Sequence, residues 1–486
     1  MKIVFLQKDS FVKIAIKQLF AVLKQNGYTC ELFIETGEKN IIKAALDSNA
    51  DLFAFSCTSG GEFWVLETVE KLKKCSSTPI IVGGPHTTFF PETIENQDID
   101  FICRGEGEYA LLDLLDAMQN NPDRIKTIPN IWSKSPSGEI YKNDVRPFVE
   151  NLDDLPMPDF DIYCKYKYLI PYNNDMYTVI TGRGCPYNCS YCFNSTYKVL
   201  YTGKGSYLRK RSPNNVVQEI LEAKEKYGVR QVNFIDDAFF SFPSWLREFA
   251  EVYKKELRLP FMINSEATQV KEEYVRLIKE MGCICVRMGV ETGNEHLRKN
   301  ILNKKVSNKH IKNAARHIKN YGIKLTTYNI LGLPGETLKE SLETFTLNKE
   351  IRADFIQCSL LQPYPGTKLT KYIQEKGFLE DENDGVAEES FFVTSQIKIE
   401  NKNEVLNLHR LMQAFLIFHI PFKTVKLLIK LPGNPLFEII FKISFIFSKI
   451  RTQRIRLIPL FRLGLHSRSY MRRSKAKNIT KKLISL

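Results

Sequence analysis

The chain has 486 residues, 43% of them hydrophobic and 26% charged, an ordinary globular balance with enough length for two or three domains with sizeable cores. Eleven cysteines, an odd number scattered from Cys30 to Cys358, exclude a disulfide framework. The opening apolar run is too short and too soon charged for a signal peptide, so a reducing cytoplasm is expected. The formal net charge of +14 is confined to one end: thirteen Lys and Arg follow Glu438, the last acidic residue, which leaves +1 for residues 1–438.

Residues 1–145 alternate apolar runs with amphipathic stretches. Lys2–Leu6, Thr29–Ile34, Leu52–Ser56, Pro79–Gly84 and Asp100–Arg104 read as strands. Ile14–Gln25, Glu62–Lys74 and Tyr109–Gln119 read as the helices between and after them. Such alternation predicts a doubly wound, Rossmann-like α/β domain that binds ligands beyond the carboxyl ends of its strands. The candidate ligand loops are Ser56-Cys57-Thr58-Ser59-Gly60-Gly61, Gly83-Gly84-Pro85-His86-Thr87-Thr88 and Gly105-Glu106-Gly107-Glu108. Small residues there let backbone approach a large flat ligand, although glycine at a strand end is also the generic way to turn. A hairpin is predicted from Pro129 to Val149, turning at Ser135-Pro136-Ser137-Gly138. The paired prolines of Leu155–Asp161 then discourage helix and place an extended linker over residues 146–175.

Residues 176–380 repeat strand, loop and helix. The first strand, Tyr177-Thr178-Val179-Ile180, leads into Gly182-Arg183-Gly184-Cys185-Pro186-Tyr187-Asn188-Cys189-Ser190-Tyr191-Cys192-Phe193, with thiols at C-x3-C-x2-C spacing. Three thiolates so close can hold one [4Fe-4S] cube and leave one of its irons open for chemistry. The alternatives are a zinc site, which needs a fourth ligand not found nearby, and three unrelated core cysteines. Further strands are read at Gln231–Ile235, which delivers Asp236 and Asp237, at Phe261–Asn264, and at Cys283–Gly293, which carries Glu291. Lys324–Ile330 runs into Gly332-Leu333-Pro334-Gly335-Glu336-Thr337, and Phe355–Leu360 into Pro363-Tyr364-Pro365-Gly366-Thr367. Six such units predict a partial (β/α)6 barrel of TIM type rather than a closed eight, with functional groups at the carboxyl ends of its strands.

The cluster loop, the Asp-Asp, and the Gly-Val-Glu-Thr-Gly, Gly-Leu-Pro-Gly-Glu-Thr and Tyr-Pro-Gly-Thr segments occur in that order, and the chain resembles radical S-adenosylmethionine (SAM) enzymes. The preceding domain resembles the cobalamin-binding domain of the class B methylases among them. This resemblance implies that Cys185, Cys189 and Cys192 ligate the cluster and that the backbone near Tyr191 and Phe193 meets the adenine of SAM. It makes Glu291 an acceptor for SAM's ribose or amino group, while Asp236 and Asp237 contact SAM or the substrate unless one is a helix cap. Ser56, Thr58, Gly83, Gly84, His86, Gly105 and Glu106 become cobalamin contacts. His86 reads as a hydrogen-bonding residue rather than a cobalt ligand, because the Asp-x-His-x-x-Gly motif is absent. The implied chemistry is methylation of an unactivated carbon through a 5'-deoxyadenosyl radical and methylcobalamin held over the barrel mouth. Ring formation or carbon-carbon coupling is the alternative chemistry, and a membrane-associated sensor that no longer turns over is the alternative of a different class. A flavodoxin or ferredoxin is the expected electron donor.

Residues 381–486 form a C-terminal extension. Its first thirty residues carry no usable motif. Phe415–Leu431 and Leu436–Ile450 then read as apolar helices edged with lysine, too interrupted to span a bilayer. Apolar helices before a basic, acid-free end suit peripheral contact with the inner face of an anionic membrane, and a lipid or isoprenoid substrate is expected on that ground. Soluble secondary metabolites and peptides stay open as substrates, and a helical cap on the barrel with a solvated end is the simpler reading of the tail. No nucleic-acid partner is expected.

Overall fold

The computed structural model describes residues 1–170, 175–380 and 395–454. The expected tail cations from Arg456 to Lys482, and most of the acidic stretch after residue 380, lie outside the described residues. The chain divides into two units, one holding Met1–Phe148 and Asp154–Met176, the other Val149–Asp153 and Tyr177–Ile455.

The first unit is built on a seven-stranded sheet. Its strands are β1 (Lys2–Gln7), β2 (Thr29–Ile34), β3 (Leu52–Ser56), β4 (Ile80–Gly83), β5 (Phe101–Cys103), β6 (Ile131–Lys134) and β7 (Ile140–Lys142). They lie in the order β2-β1-β3-β4-β5-β6-β7. The first five are parallel, whereas β6 pairs antiparallel with β5 and with β7. The expected hairpin thus forms and extends the same sheet. In β1, Ile3 and Phe5 enter one hydrophobic core while Val4 and Leu6 enter the other. Burial on both faces explains why this strand reads as an unbroken apolar run.

The region expected to be a spacer is different. Residues 156–160 are irregular, but Ile162, Tyr163, Tyr166 and Leu169 are buried in the first unit's core. The Tyr163 hydroxyl donates to Gln7 Oε1 at 2.9 Å and accepts from the Lys13 N–H at 3.0 Å. Large side chains with polar tips, each satisfied inside, make this segment part of the domain.

The second unit has a six-stranded sheet in sequential order: β8 (Met176–Val179), then β11 (Gln231–Phe234), β12 (Phe261–Ser265), β13 (Cys283–Glu291), β14 (Lys324–Leu331) and β15 (Phe355–Leu360). Two short strands, β9 (Gly182–Arg183) and β10 (Arg209–Lys210), pair antiparallel beside it. Sequential order with helices between the strands is the open partial barrel that was expected. Its outer layer includes a helix at Pro243–Glu256, whose start is marked by proline at the first helical position. That helix brings Trp245 and Phe249 into a stack at 4.6 Å and sets Phe249 edge-on to Phe234 at 5.7 Å.

Three helices, Lys402–Ile417, Phe422–Leu428 and Pro435–Gln453, complete the described chain. The first of them begins inside the stretch expected to be without a usable signal. The last sits at the amino ends of the strands: Phe445 meets Phe355 edge-on at 5.2 Å, and Gln231 donates to the Gln453 carbonyl at 3.0 Å. Gln413 links both helices to β15, accepting from the Ile356 N–H at 2.7 Å and donating to Ser448 Oγ at 2.6 Å. Among the described residues no helix is long and apolar enough to cross a membrane.

Phe249 is fully buried in the aromatic cluster and Val199 is largely exposed. Phe249→Ala is expected to lower unfolding free energy by about 3–5 kcal/mol, and Val199→Ala by less than about 0.5 kcal/mol, in anaerobic urea unfolding followed by circular dichroism.

Candidate cluster and cobalamin sites

The three thiols stand on the irregular loop that follows β8. Glycine is required at its root: Gly184 has φ +93°, and a side chain at Gly182 or Gly184 would collide with the Arg209 or Tyr207 carbonyl. The loop is pinned from two directions. The Ser190 N–H donates to the Leu302 carbonyl and the Ser190 carbonyl accepts from the Leu369 N–H, both at 2.9 Å. Asn303 donates to the Asn188 carbonyl at 2.7 Å. Lys198, on the helix Phe193–Leu200, closes the loop on itself by donating to the Tyr187 carbonyl at 2.8 Å and to Asn188 Oδ1 at 2.9 Å.

Cys185, Cys189 and Cys192 are unbridged and half-buried. Burial pushes the Cys185 thiol up to about 12 and the Cys189 thiol up to about 11, and raises Cys192 as well. Opposing this, the Tyr187 N–H favours the Cys185 thiolate, the Lys304 ammonium favours that of Cys189, and Asn194 favours that of Cys192 from 3.5 Å. The charges of Cys189 and Cys192 reach Cys185, so the three sulfurs form one electrostatic group. Three thiols with donors aimed at their anionic forms are the donor chemistry an iron-sulfur cluster requires.

Glu291 ends β13 beside this loop. It is buried and left-handed, with φ +66°, a conformation that costs about 1–3 kcal/mol in a residue with a side chain. Lys304 holds it there: its ammonium is 2.8 Å from Glu291 Oε1 and donates to the Gly289 carbonyl at 2.8 Å, and both side chains are under 10% exposed. Burial works against the Lys304 charge, but Glu291 and Cys189 reverse the balance and hold its pKa above the ordinary lysine range. Burial also holds the Tyr191 phenol well above its usual range, reinforced by the Glu291 charge and by a hydrogen bond to that carboxylate. Lys304 is carried by a segment clamped by the fully buried Arg298, which donates to the Val290 and Val306 carbonyls at 3.1 and 3.0 Å, to Asn308 Oδ1 at 2.8 Å, and to the Thr292 carbonyl.

The two aspartates part company. Asp237 accepts from Asn194 at 2.9 Å, and its charge reaches Cys185 and Cys192. Asp236 is taken up by the fold: it accepts from the Thr181 N–H at 3.0 Å, from Thr181 Oγ1 at 2.6 Å and from Lys210 at 2.9 Å. Phe193 opens its helix and is 46% exposed. Three groups that sequence reading passed over also bear on a ligand. Asn264 pairs with Arg287 in the sheet register, and Asn233 pairs with Met262, two residues before Asn264, so the three share one face. Each leaves a buried polar atom without a protein partner among the described residues: Oδ1 of Asn233, Oδ1 of Asn264 and Nε of Arg287. Such atoms fit a polar ligand or water on that face.

In the first unit the strand order reverses between β1 and β3, the switch point where doubly wound sheets bind ligands. The loops after β3, β4 and β5 are stitched into one floor. The Cys57 N–H donates to the Gly83 carbonyl at 2.8 Å and the His86 N–H to the Cys57 carbonyl at 3.1 Å. Thr88 Oγ1 donates to the Gly84 carbonyl at 2.8 Å and accepts from the Gly105 N–H at 3.0 Å. Gly84 has φ +103°, and a Cβ there would lie 2.6 Å from the Cys57 carbonyl. His86 is held by Ser59 at 3.1 Å and stacked on Phe90 at 5.0 Å. Ser56 turns its carbonyl to Lys13 at 2.6 Å, and Thr58 is exposed. Glu106 follows Gly105 in the loop after β5 and is partly buried. A floor of backbone and small side chains fits the broad face of cobalamin.

Two family models match the chain, the radical SAM superfamily over residues 179–347 and the B12 binding domain over residues 8–115. The chain carries a radical SAM domain and a B12-binding domain. The radical SAM match brackets the thiol loop, Asp237, Glu291 and Lys304, and the two domains together imply a [4Fe-4S] cluster, SAM and cobalamin. Among curated relatives, an uncharacterized methyltransferase of Pyrococcus horikoshii is 30% identical over 60% of this chain and 62% of its own. An anaerobic magnesium-protoporphyrin IX monomethyl ester cyclase of Rubrivivax gelatinosus is 26% identical over 74% of this chain and 66% of its own. The chain thus spans somewhat under two thirds of these relatives' length. The radical SAM methyltransferase TsrM of Kitasatospora setae, solved with cobalamin and a [4Fe-4S] cluster, superposes with a TM-score of 0.64 at 18% identity, covering 77% of this chain and 75% of that one. The cobalamin-dependent radical SAM enzyme OxsB gives 0.59 at 20% identity, covering 81% and 57%. Both share its fold.

Two predictions follow from the buried charges. Lys304→Met strands the Glu291 carboxylate and is expected to cost about 3–5 kcal/mol in urea unfolding; adding Glu291→Gln restores most of that loss. Glu336, in the loop after β14, is buried with Oε1 unpartnered among the described residues, and burial pushes it up to about 7. The folded state therefore keeps its proton after the unfolded chain has lost it, and stability falls as pH rises from the ordinary glutamate range to about 7. Glu336→Gln is expected to flatten this part of the stability-pH profile.

Proposed function

We propose that the chain is a cobalamin-dependent radical SAM enzyme that methylates an unactivated carbon. The observation that carries this reading is the thiol trio at the carboxyl end of β8, flanked by Asp237 and the Glu291–Lys304 pair, in one chain with a B12-type sheet. When bound, the cluster with SAM supplies a hydrogen-abstracting radical and cobalamin supplies a methyl group. The chain's own residues hold and align the reactants. Cys185, Cys189 and Cys192 anchor the cluster. Glu291, fixed by Lys304 and Tyr191, accepts from the ribose or amino group of SAM, and Asp237 borders the same loop. Backbone near Tyr191 and Phe193 meets the adenine. Ser56, Thr58, Gly83, Gly84, His86, Gly105 and Glu106 border cobalamin, with His86 already engaged by Ser59. For substrate we propose a membrane lipid or isoprenoid, supported by the basic, acid-free end of the sequence.

The similarity to anaerobic magnesium-protoporphyrin IX monomethyl ester cyclases favours one second reading, ring closure without methyl transfer. Anaerobic reconstitution with iron, sulfide, cobalamin and a flavodoxin or ferredoxin reductant distinguishes the two. Incubation with SAM and a lipid extract is expected to give S-adenosylhomocysteine and 5'-deoxyadenosine in equal amounts, and Cys192→Ala is expected to lower both at least a hundredfold. 5'-Deoxyadenosine alone favours the cyclase reading, and no SAM cleavage contradicts both.

A further inference from the structure

The helix Pro435–Gln453 is apolar on both faces: Phe437 is buried, and Phe441 and Phe445 pack on His409 and Phe355. Its buried side chains are Phe437, Ser444, Ser448, Thr452 and Gln453; Ser448 accepts from Gln413 on the helix Lys402–Ile417, and the Gln453 carbonyl accepts from Gln231 of β11. Five other large apolar side chains point away: Leu436, Ile439, Ile443, Ile446 and Phe447 are all exposed, Ile443 by 64%. Their spacing of three and four residues draws one stripe along the helix. The neighbouring segment adds Phe418, Leu427 and Leu431, with Leu427 69% exposed. An apolar area of this extent on a soluble surface marks a contact with something else.

Charge decides what that contact is. From Phe415 to Arg454 the chain has seven cations, Lys423, Lys426, Lys430, Lys442, Lys449, Arg451 and Arg454, against one acid, Glu438, and Glu438 lies 3.7 Å from Arg410. The sequence after Arg454 adds nine more cations and no acid. A second copy would bring like charge against like across a two-fold interface, and nucleic acid has no use for an aliphatic stripe. An anionic bilayer uses both features: acyl chains take up the stripe and headgroups meet the lysines.

We propose that the outer face of Pro435–Gln453, with Phe418, Leu427 and Leu431, is a monotopic docking surface for an anionic membrane. The helix lies along the interface while its inner face, with Phe445 on Phe355 and Ser448 on Gln413, stays on the protein. This deepens the lipid reading of the substrate, and because binding is scored without turnover, failure of either leaves the other standing.

The test is cosedimentation of the full chain with vesicles of phosphatidylglycerol and phosphatidylcholine, or of phosphatidylcholine alone. Binding is expected only with phosphatidylglycerol present, and it weakens as salt rises. Ile443→Ser with Phe447→Ser, and separately Lys442→Glu, are expected to reduce partitioning, the first by at least about tenfold, with thermal unfolding unchanged because these positions are exposed. Three results overturn the proposal: no binding to anionic vesicles; binding that survives the Ile443→Ser, Phe447→Ser variant, which assigns it to the sequence beyond Arg454; or a concentration-dependent dimer abolished by that variant without vesicle binding, which assigns the face to a second copy.

Discussion

A single buried ion pair, Lys304 with Glu291, organises the chemistry end of the second unit. An unpaired carboxylate in that position would be expelled or neutralised. Paired, it remains an anion beside the cysteine loop, in a left-handed backbone that the surrounding fold must enforce. Gly289 is part of the same device, because a Cβ there would press on the Glu291 carboxylate and lie 2.7 Å from the Lys304 ammonium. The pair is held in turn by Arg298, whose guanidinium gathers carbonyls from both sides of the loop. Lys198 acts comparably from the other side, its ammonium within electrostatic reach of all three thiols. Two cations around three thiols ease the build-up of negative charge that cluster binding brings.

What was legible in the sequence follows physical lines. Strand and helix alternation, with glycine at the carboxyl ends, located both sheets, because periodicity reports local burial. The thiol loop was legible because its ligands are local in sequence. Lys304 and Arg298 were not, since they sit among Arg298-Lys299-Asn300 and Asn303-Lys304-Lys305, which look like solvent-facing charge until the fold buries two members. Asn233, Asn264 and Arg287 were hidden for the same reason: their shared face exists only once three strands are in register. Asp236 and Asp237 are adjacent and chemically identical, yet one ties strand ends together and the other borders the cysteines. The segment around Tyr163 reads as a linker by its prolines and packs as core by its aromatics.

The C-terminal helices show the limit of composition as a guide. Leu436–Ile450 is apolar enough to suggest simple burial. In the structure Ser444 and Ser448 are inside together with Phe437, and Leu436, Ile439, Ile443, Ile446 and Phe447 are outside. The amino ends of the strands present both kinds of partner, the Ile356 N–H to Gln413 and the Phe355 ring to Phe445.

The proposed chemistry requires Cys185, Cys189 and Cys192 to hold a cluster with one iron open to SAM. The most direct measurement is electron paramagnetic resonance of the reduced, reconstituted chain with and without SAM. The predicted result is a [4Fe-4S] signal that changes in shape and g-values when SAM is added and is absent in the Cys185→Ala, Cys189→Ala and Cys192→Ala variants. A signal indifferent to SAM, or one that survives loss of any of the three cysteines, would contradict it.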